Sequence, residues 1–152
     1  MKLTIIGNGV MAQSLAMGLL KNYEIEMIGR DINKLKIIKE KIPQIEIKQL
    51  EDKEDISGKN ILCCVKHFAL ESVAIRLVGT ANIIISILAG TRLDFLKKHI
   101  KARNYVRAMP NIAASVLQSM TTVTGDLETK ELSVKLFSSI GQCVWVQTEN
   151  QL

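Results

Sequence analysis

The sequence predicts an α/β domain built on a doubly wound, mostly parallel sheet with helices on both faces. Three observations predict it. Short β-branched runs alternate with longer helical patterns, as strands do when crossover helices join them in parallel. A glycine-rich turn separates the first run from the first helix. The run at Asn60–Val65 is apolar almost throughout, the pattern of a strand buried on both faces and therefore central in its sheet. The chain has 152 residues, 47% of them hydrophobic and 23% charged, with nine Gly and two Pro. That is room for one domain with a real core, and the composition excludes disordered, collagen-like and low-complexity classes.

The elements follow in order. Lys2–Ile6 reads as the first strand. Val10, Leu15, Leu19 and Leu20 then share one face of a helix ending near Lys21. Ile25–Ile28 is the second strand, and Asn33–Lys41 a helix in which Leu35, Ile37 and Ile38 alternate with lysines until Pro43 stops it. Ile45–Lys48 is the third strand, followed by an acidic connection, Glu51–Asp55, and the central strand Asn60–Val65. Helical spacing runs from Phe68 to Val78, strand character returns at Ile83–Leu88, and a short helix at Leu93–Ile100 precedes a strand at Tyr105–Ala108. Beyond Asn111 a strand at Met120–Thr124, an amphipathic helix at Leu127–Ile140 and a strand at Cys143–Val146 complete the domain. Residues 1–149 are expected to form this single domain, with 150–152 a fraying tail.

No apolar run approaches the roughly 20 residues that span a bilayer. Asn8 and Gln13 interrupt the N-terminal apolar stretch, so it lacks the core of a signal peptide, and the cytoplasm is the expected location. Cys63, Cys64 and Cys143 make an odd count with no metal-ligand spacing, so buried, reduced thiols and no metal site are expected. The formal net charge is +5. Arg92, Lys97, Lys98, Lys101, Arg103 and Arg107 stand against one acid, Asp94, which suits an anionic partner. With few aromatics to stack on bases, a small phosphate-bearing ligand fits better than nucleic acid.

The chemistry starts at Gly7-Asn8-Gly9-Val10-Met11-Ala12, which fits G-x-G-x-x-G/A between the first strand and the first helix. Gly7 allows the tight turn, Gly9 lets backbone approach a pyrophosphate, and Ala12 lets helix and strand pack closely. The anion would meet free N–H groups and the positive helix end. This is the Rossmann arrangement, and dinucleotide binding is the working expectation. The competing reading is that the glycines serve the turn alone.

The end of the second strand, Gly29-Arg30-Asp31, stands where an acid would select NAD through its ribose hydroxyls and an arginine would select NADP through its 2′-phosphate. Arg30 comes first, which favours NADP, while Asp31 is suited to capping the next helix. Three further strand ends carry polar or flexible residues at the edge where such sheets bind ligands: Cys64-Val65-Lys66-His67, Ser86 through Thr91, and Arg107-Ala108-Met109-Pro110-Asn111. Lys66 is either a cofactor contact or a lysine snorkelling from the sheet edge. His67 and His99 have no acid or nucleophile motif nearby, and no catalytic residue is assigned.

Taken together, Ile6 through Ala12, Val65-Lys66, Ser86-Ile87-Leu88-Ala89-Gly90, Arg107-Ala108-Met109-Pro110-Asn111 and Ile140-Gly141 resemble pyrroline-5-carboxylate reductase, most tellingly in Arg-x-Met-Pro-Asn. The resemblance covers essentially the whole chain and corresponds to that family's N-terminal coenzyme-binding domain. It implies reduction of the cyclic imine 1-pyrroline-5-carboxylate to L-proline, the last step of proline biosynthesis, with NADPH or NADH as hydride donor. It further implies that Gly7, Asn8, Gly9, Val10, Met11 and Ala12 carry the pyrophosphate and Arg30 the 2′-phosphate. Val65 and Lys66 would lie between ribose and nicotinamide, and Ala89, Gly90 and Asn111 at the floor and rim near the ring.

Two departures stand out: His67 occupies the place of the family's usual proline, and Ile112-Ala113 the place of a usual Thr-Pro. The resemblance further implies a helical domain that makes the dimer and supplies much of the imino-acid site, and that domain is not expected within these 152 residues. The parent enzyme is therefore expected to be a homo-oligomer, and this chain alone monomeric or weakly associating and incomplete for catalysis. The alternatives are a stand-alone dinucleotide-sensing module and a related NADP-dependent reductase acting on another substrate.

Overall fold

The structure, a computed structural model, describes residues 1–152. Its centre is β1 (Lys2–Ile6), which pairs in parallel with β2 (Glu24–Gly29) on one side and β5 (Asn60–Cys63) on the other. β3 (Glu46–Gln49) lies outside β2. Beyond β5 come β7 (Ala81–Ser86) and β8 (Ala102–Met109), all parallel. β9 (Ser119–Gly125) turns antiparallel to β8, and β10 (Gly141–Trp145) runs parallel to β9 at the edge. The order β3-β2-β1-β5-β7-β8 reverses direction at β1/β5, the point where doubly wound sheets open a crevice.

Side chains that alternate along each strand feed two cores. Leu3 and Ile5 of β1, Leu62 of β5, and Ile83 and Ile85 of β7 face α1 (Val10–Leu19), α2 (Ile32–Lys41) and α5 (Lys130–Ser138), where Leu15, Leu35 and Phe137 are fully buried. Ile6, Ile61, Cys63 and Ile84 face the opposite way, onto Leu70 and Val73 of α3 (Leu70–Ala74) and Leu96 of α4 (Leu93–His99). A strand segment covered on both faces is apolar on both, which is why Ile61–Cys63 carries no polar side chain, while Asn60 stands at the half-exposed entry to the strand. β5 is central, as expected. No helix is long and apolar enough to cross a membrane.

The departures from expectation are local. The segment from Phe68 to Val78 is not one helix: a 3₁₀ turn (His67–Ala69) leads into the five-residue α3, and Leu77–Val78 forms β6. β6 pairs with β4 (Glu54–Asp55), inside the stretch expected to be only an acidic connection. The Glu54 carboxylate is fully buried, ion-paired to Lys48 and accepting from the Glu51 N–H at 3.2 Å, while its backbone pairs with Leu77, 23 residues on, a long-range partner that local propensity does not announce. β8 starts three residues before the expected Tyr105, and Leu127–Thr129 is a 3₁₀ turn preceding α5.

The polar chain end, expected to fray, is also ordered. Glu149–Gln151 form a 3₁₀ turn closed by a capping box between Thr148 and Gln151. Glu149 accepts from the Leu93 N–H at 2.8 Å and from Arg107 Nη1 at 2.9 Å, and pairs with Arg92 at 3.4 Å. Two of the six cations of the 92–107 stretch thus share one ion-pair partner, an acid from the end of the chain. A third, Lys97, lies 5.6 Å over the Tyr105 ring.

Candidate functional site

A cleft of about 430 Å³ opens at the β1/β5 reversal. Its floor is the turn after β1, Gly7 through Met11. One wall is the end of β2 with the first turn of α2: Gly29, Arg30 and Lys34. The other is the end of β5 with the 3₁₀ turn: Cys64, Val65, Lys66, Phe68 and Ala69, with Ile112 at the rim. The lining contains Arg30, Lys34 and Lys66 but no acid, so the cleft presents positive charge to an incoming anion.

The two glycines of the motif do different work. Gly7 has φ +123°, and a Cβ there would stand 2.6 Å from the Cys64 carbonyl oxygen, so close backbone packing between β1 and β5 forbids a side chain. Its N–H also donates to the Ile28 carbonyl at 2.9 Å, which joins the turn to β2. Gly9 has an extended conformation, φ −81° and ψ −171°, and a Cβ there would meet nothing within 4 Å. No protein contact requires glycine at position 9. A side chain would instead project into open space where the helix begins.

Helix α1 starts at that point without a side-chain cap and without an acid in its first turn. Its first N–H groups have no intrahelical acceptor, so the N-terminus offers donors and a partial positive charge. α2 contrasts with it: Asp31 Oδ1 accepts from Asn33 N–H at 2.9 Å and Lys34 N–H at 3.3 Å. Asp31 is therefore committed to capping. The exposed Arg30 guanidinium is left without a hydrogen bond or ion pair in the chain, and only its carbonyl is engaged, by Gln49 Nε2 at 3.1 Å. Lys34, one helical turn on, adds a second cation to the same wall. Its signal in the sequence was the spacing of four from Arg30, hidden among the lysines of an amphipathic helix.

Of the residues singled out above, Gly7, Asn8, Gly9, Val10, Met11, Arg30, Val65 and Lys66 line this one cleft. Ala12 is fully buried beneath it, where its small size lets α1 approach the sheet. Ala89, Gly90 and Asn111 do not line it. They lie beyond the carboxyl ends of β7 and β8, farther along the same edge of the sheet. The Asn111 side-chain oxygen is occupied locally, accepting from the Ala113 N–H at 3.1 Å to cap the 3₁₀ turn Ile112–Val116. Lys66 is exposed and its ammonium has no partner in the chain.

His67 joins two of these loops: its Nδ1 is 2.7 Å from Oγ1 of the buried Thr91. Cys63 and Cys64 are free thiols beside the cleft. Burial pushes the Cys63 thiol up to about 11. Burial, with the neighbouring Cys63, raises Cys64 well above the ordinary range. Neither is a ready nucleophile.

Comparison with known proteins places the chain in a family. Residues 2–90 match the family described as NADP oxidoreductase, coenzyme F420-dependent. The pyrroline-5-carboxylate reductase of Helicobacter pylori strain J99 is 32% identical over 158 residues, covering 99% of this chain and 61% of that protein. That of Synechocystis sp. is 31% identical, over 95% of this chain and 58% of that protein. The crystal structure of 1-pyrroline-5-carboxylate reductase from Streptococcus pyogenes superposes with a TM-score of 0.82 at 26% identity, covering 99% of this chain and 60% of that one. The chain thus spans about three fifths of the length of the relatives it matches.

Proposed function

This chain belongs to the NADP oxidoreductase, coenzyme F420-dependent family and corresponds to the N-terminal part of pyrroline-5-carboxylate reductases, and from that premise we propose that it binds NADPH for the reduction of 1-pyrroline-5-carboxylate to L-proline. The observation that carries the coenzyme reading is Gly9. The chain keeps a residue without a side chain where its own packing leaves open space, at an uncapped helix N-terminus facing a cleft that holds three cations and no acid. Turn sterics account for Gly7 and leave Gly9 unexplained. A bound pyrophosphate explains both its small size and the free N–H groups.

Residues 1–149 act in this reading as the dinucleotide-binding domain. Gly7 through Met11 receive the pyrophosphate, with Ala12 setting the close approach of α1. The Arg30 fork, seconded by Lys34, holds the 2′-phosphate and so favours NADPH over NADH. Val65 and Lys66 border the coenzyme on the β5 side, and Ala89, Gly90 and Asn111 border the ring end. When bound, the coenzyme supplies the hydride that reduces the imine carbon. The chain's own contribution is positioning and charge, because no nucleophile is needed and the cleft offers none. The imino-acid substrate is inferred from correspondence to the reductases.

Titration of NADPH and of NADH into the 152-residue chain by calorimetry, at one fixed low salt concentration, tests the proposal. Saturable binding with NADPH the tighter ligand is the expected result. Absence of binding by either coenzyme would overturn it.

A further inference from the structure

The chain has six aromatic residues, and Phe68 alone among them is exposed. Phe137 is fully buried, Tyr105 is buried, and Phe95 stacks on His99 with ring centroids 4.2 Å apart. Phe68 is 85% exposed and has no aromatic neighbour, although the residues that follow it, Ala69 and Leu70, are buried. The 3₁₀ turn is therefore anchored from inside, and it holds this ring outward at a fixed place. Burying a phenylalanine side chain is worth roughly 1.5–3 kcal/mol, a gain that this ring has still to make when a partner covers it.

That place is the wall of the cleft opposite Arg30 and Lys34. A cleft with three free cations and no acid selects a polyanion, and an exposed aromatic face selects a planar ring. A ligand carrying both is a nucleotide. Phe68 shares its lining with Arg30 and Lys34 and not with Ala89 or Gly90, so the ring it meets is the one beside the 2′-phosphate.

We propose that Phe68 is the stacking platform for the adenine base of the coenzyme. The assignment rests on the coenzyme reading above. Recognition of the adenosine half then has two parts: Arg30 and Lys34 read the 2′-phosphate as charge, and Phe68 reads the purine as a flat apolar surface. The neighbouring Val10 and Ile112, both exposed at the same cleft, extend that apolar surface.

The test uses 2′,5′-ADP, which carries the adenine and the 2′-phosphate but no nicotinamide, titrated by calorimetry into the whole chain beside NADPH. Phe68→Ala and Phe68→Leu should each weaken 2′,5′-ADP about tenfold, within the range carried by base–aromatic stacking, while Phe68→Tyr retains it. Ribose 2,5-bisphosphate, which lacks the base, should bind wild type and Phe68→Ala alike. In a Trp145→Phe background, Phe68→Trp should have its fluorescence quenched by 2′,5′-ADP and not by ribose 2,5-bisphosphate. If wild type binds NADPH but Phe68→Ala and Phe68→Leu bind 2′,5′-ADP as tightly as wild type, the stacking assignment is overturned and the coenzyme reading stands. If wild type binds neither NADPH nor 2′,5′-ADP, both are overturned. Urea denaturation of each variant keeps loss of binding apart from loss of fold.

Discussion

Arg107 Nη1 and Glu149 Oε1 meet at 2.9 Å across 42 residues of sequence, joining the carboxyl end of β8 to the last turn of the chain. The Arg107 side chain is 8% exposed and that of Glu149 13%, so this is a mostly buried pair. The same carboxylate accepts from Leu93 N–H, capping α4, which has no cap of its own. One acid thereby holds together β8, the loop preceding α4 and the polar end of the chain.

Removing that acid leaves Arg107, whose Nε already lacks a partner, as an uncompensated buried charge. Glu149→Gln should destabilise the chain by about 3 kcal/mol, as breaking one partner of a buried pair does. Urea denaturation at pH 7 measures it, and a change within about 0.5 kcal/mol, ordinary for a surface site, would show that the pair contributes nothing.

The same group sets an acid limit. Burial pushes the Glu149 carboxyl up, but hydrogen bonds from the Leu93 N–H and Arg107, with the charges of Arg92 and Arg107, outweigh it and leave the carboxyl below its ordinary 4.5. A folded-state value below the unfolded one means that the stabilisation is complete above about pH 4.5 and is lost as pH falls through the depressed value. Stability of wild type should fall over that acid window, and the difference between wild type and Glu149→Gln should shrink with it. A difference independent of pH from 7 down to 3 would contradict this.

The two motif glycines should separate when each is replaced by alanine. Gly7→Ala places a Cβ against the Cys64 carbonyl at a positive φ and should cost more than about 2 kcal/mol of stability. Gly9→Ala meets no protein atom, so its urea midpoint should stay close to that of wild type while NADPH binding weakens at least about tenfold. Equal loss of stability in the two variants would mean that turn geometry explains both glycines.

Arg30→Ala and Lys34→Ala should each weaken NADPH and leave NADH nearly unchanged. Charge-assisted hydrogen bonds to phosphate carry about 1.5–3 kcal/mol, so the Arg30 variant should lose about tenfold or more, with less for the point charge of Lys34. Parallel calorimetric titrations of the two coenzymes give the answer, and equal loss of both would remove the 2′-phosphate from this wall.

The thiols beside the cleft should be inert. With burial holding Cys63 at about 11 and raising Cys64 well above the ordinary thiol range, a thiol reagent at pH 8 should modify neither in the folded chain within the time that denatured protein reacts completely. Peptide mapping after labelling would identify any site modified.

The local code of this chain was legible wherever one short segment carried its own physical reason. G-x-G-x-x-A between Lys2–Ile6 and Val10–Leu19 announces a strand, a turn and an uncapped helix, because each small residue serves a constraint met within the motif. The apolar run that follows Asn60, Ile61–Cys63, announces a central strand, because a strand covered on both faces excludes polar side chains from both. Arg30 and Asp31 could be read together, since a cap and a free cation are both one-residue statements.

What depended on folding was the meeting of distant segments. Nothing near Glu54–Asp55 announces that it pairs with Leu77–Val78, so β4 and β6 went unread and a helix was expected through Val78. Nothing near Glu149 points to Arg107 or to the start of α4. Lys34 and Phe68 look like an ordinary helix lysine and the apolar start of a helix, until the reversal of strand order at β1/β5 sets them on facing walls of one cleft. A residue's type and its local period are properties of a few neighbours in the chain. Which charges pair, which ring stays in water and which loops share a cavity depend on contacts closed across dozens of residues, and those are made only when the sheet is assembled.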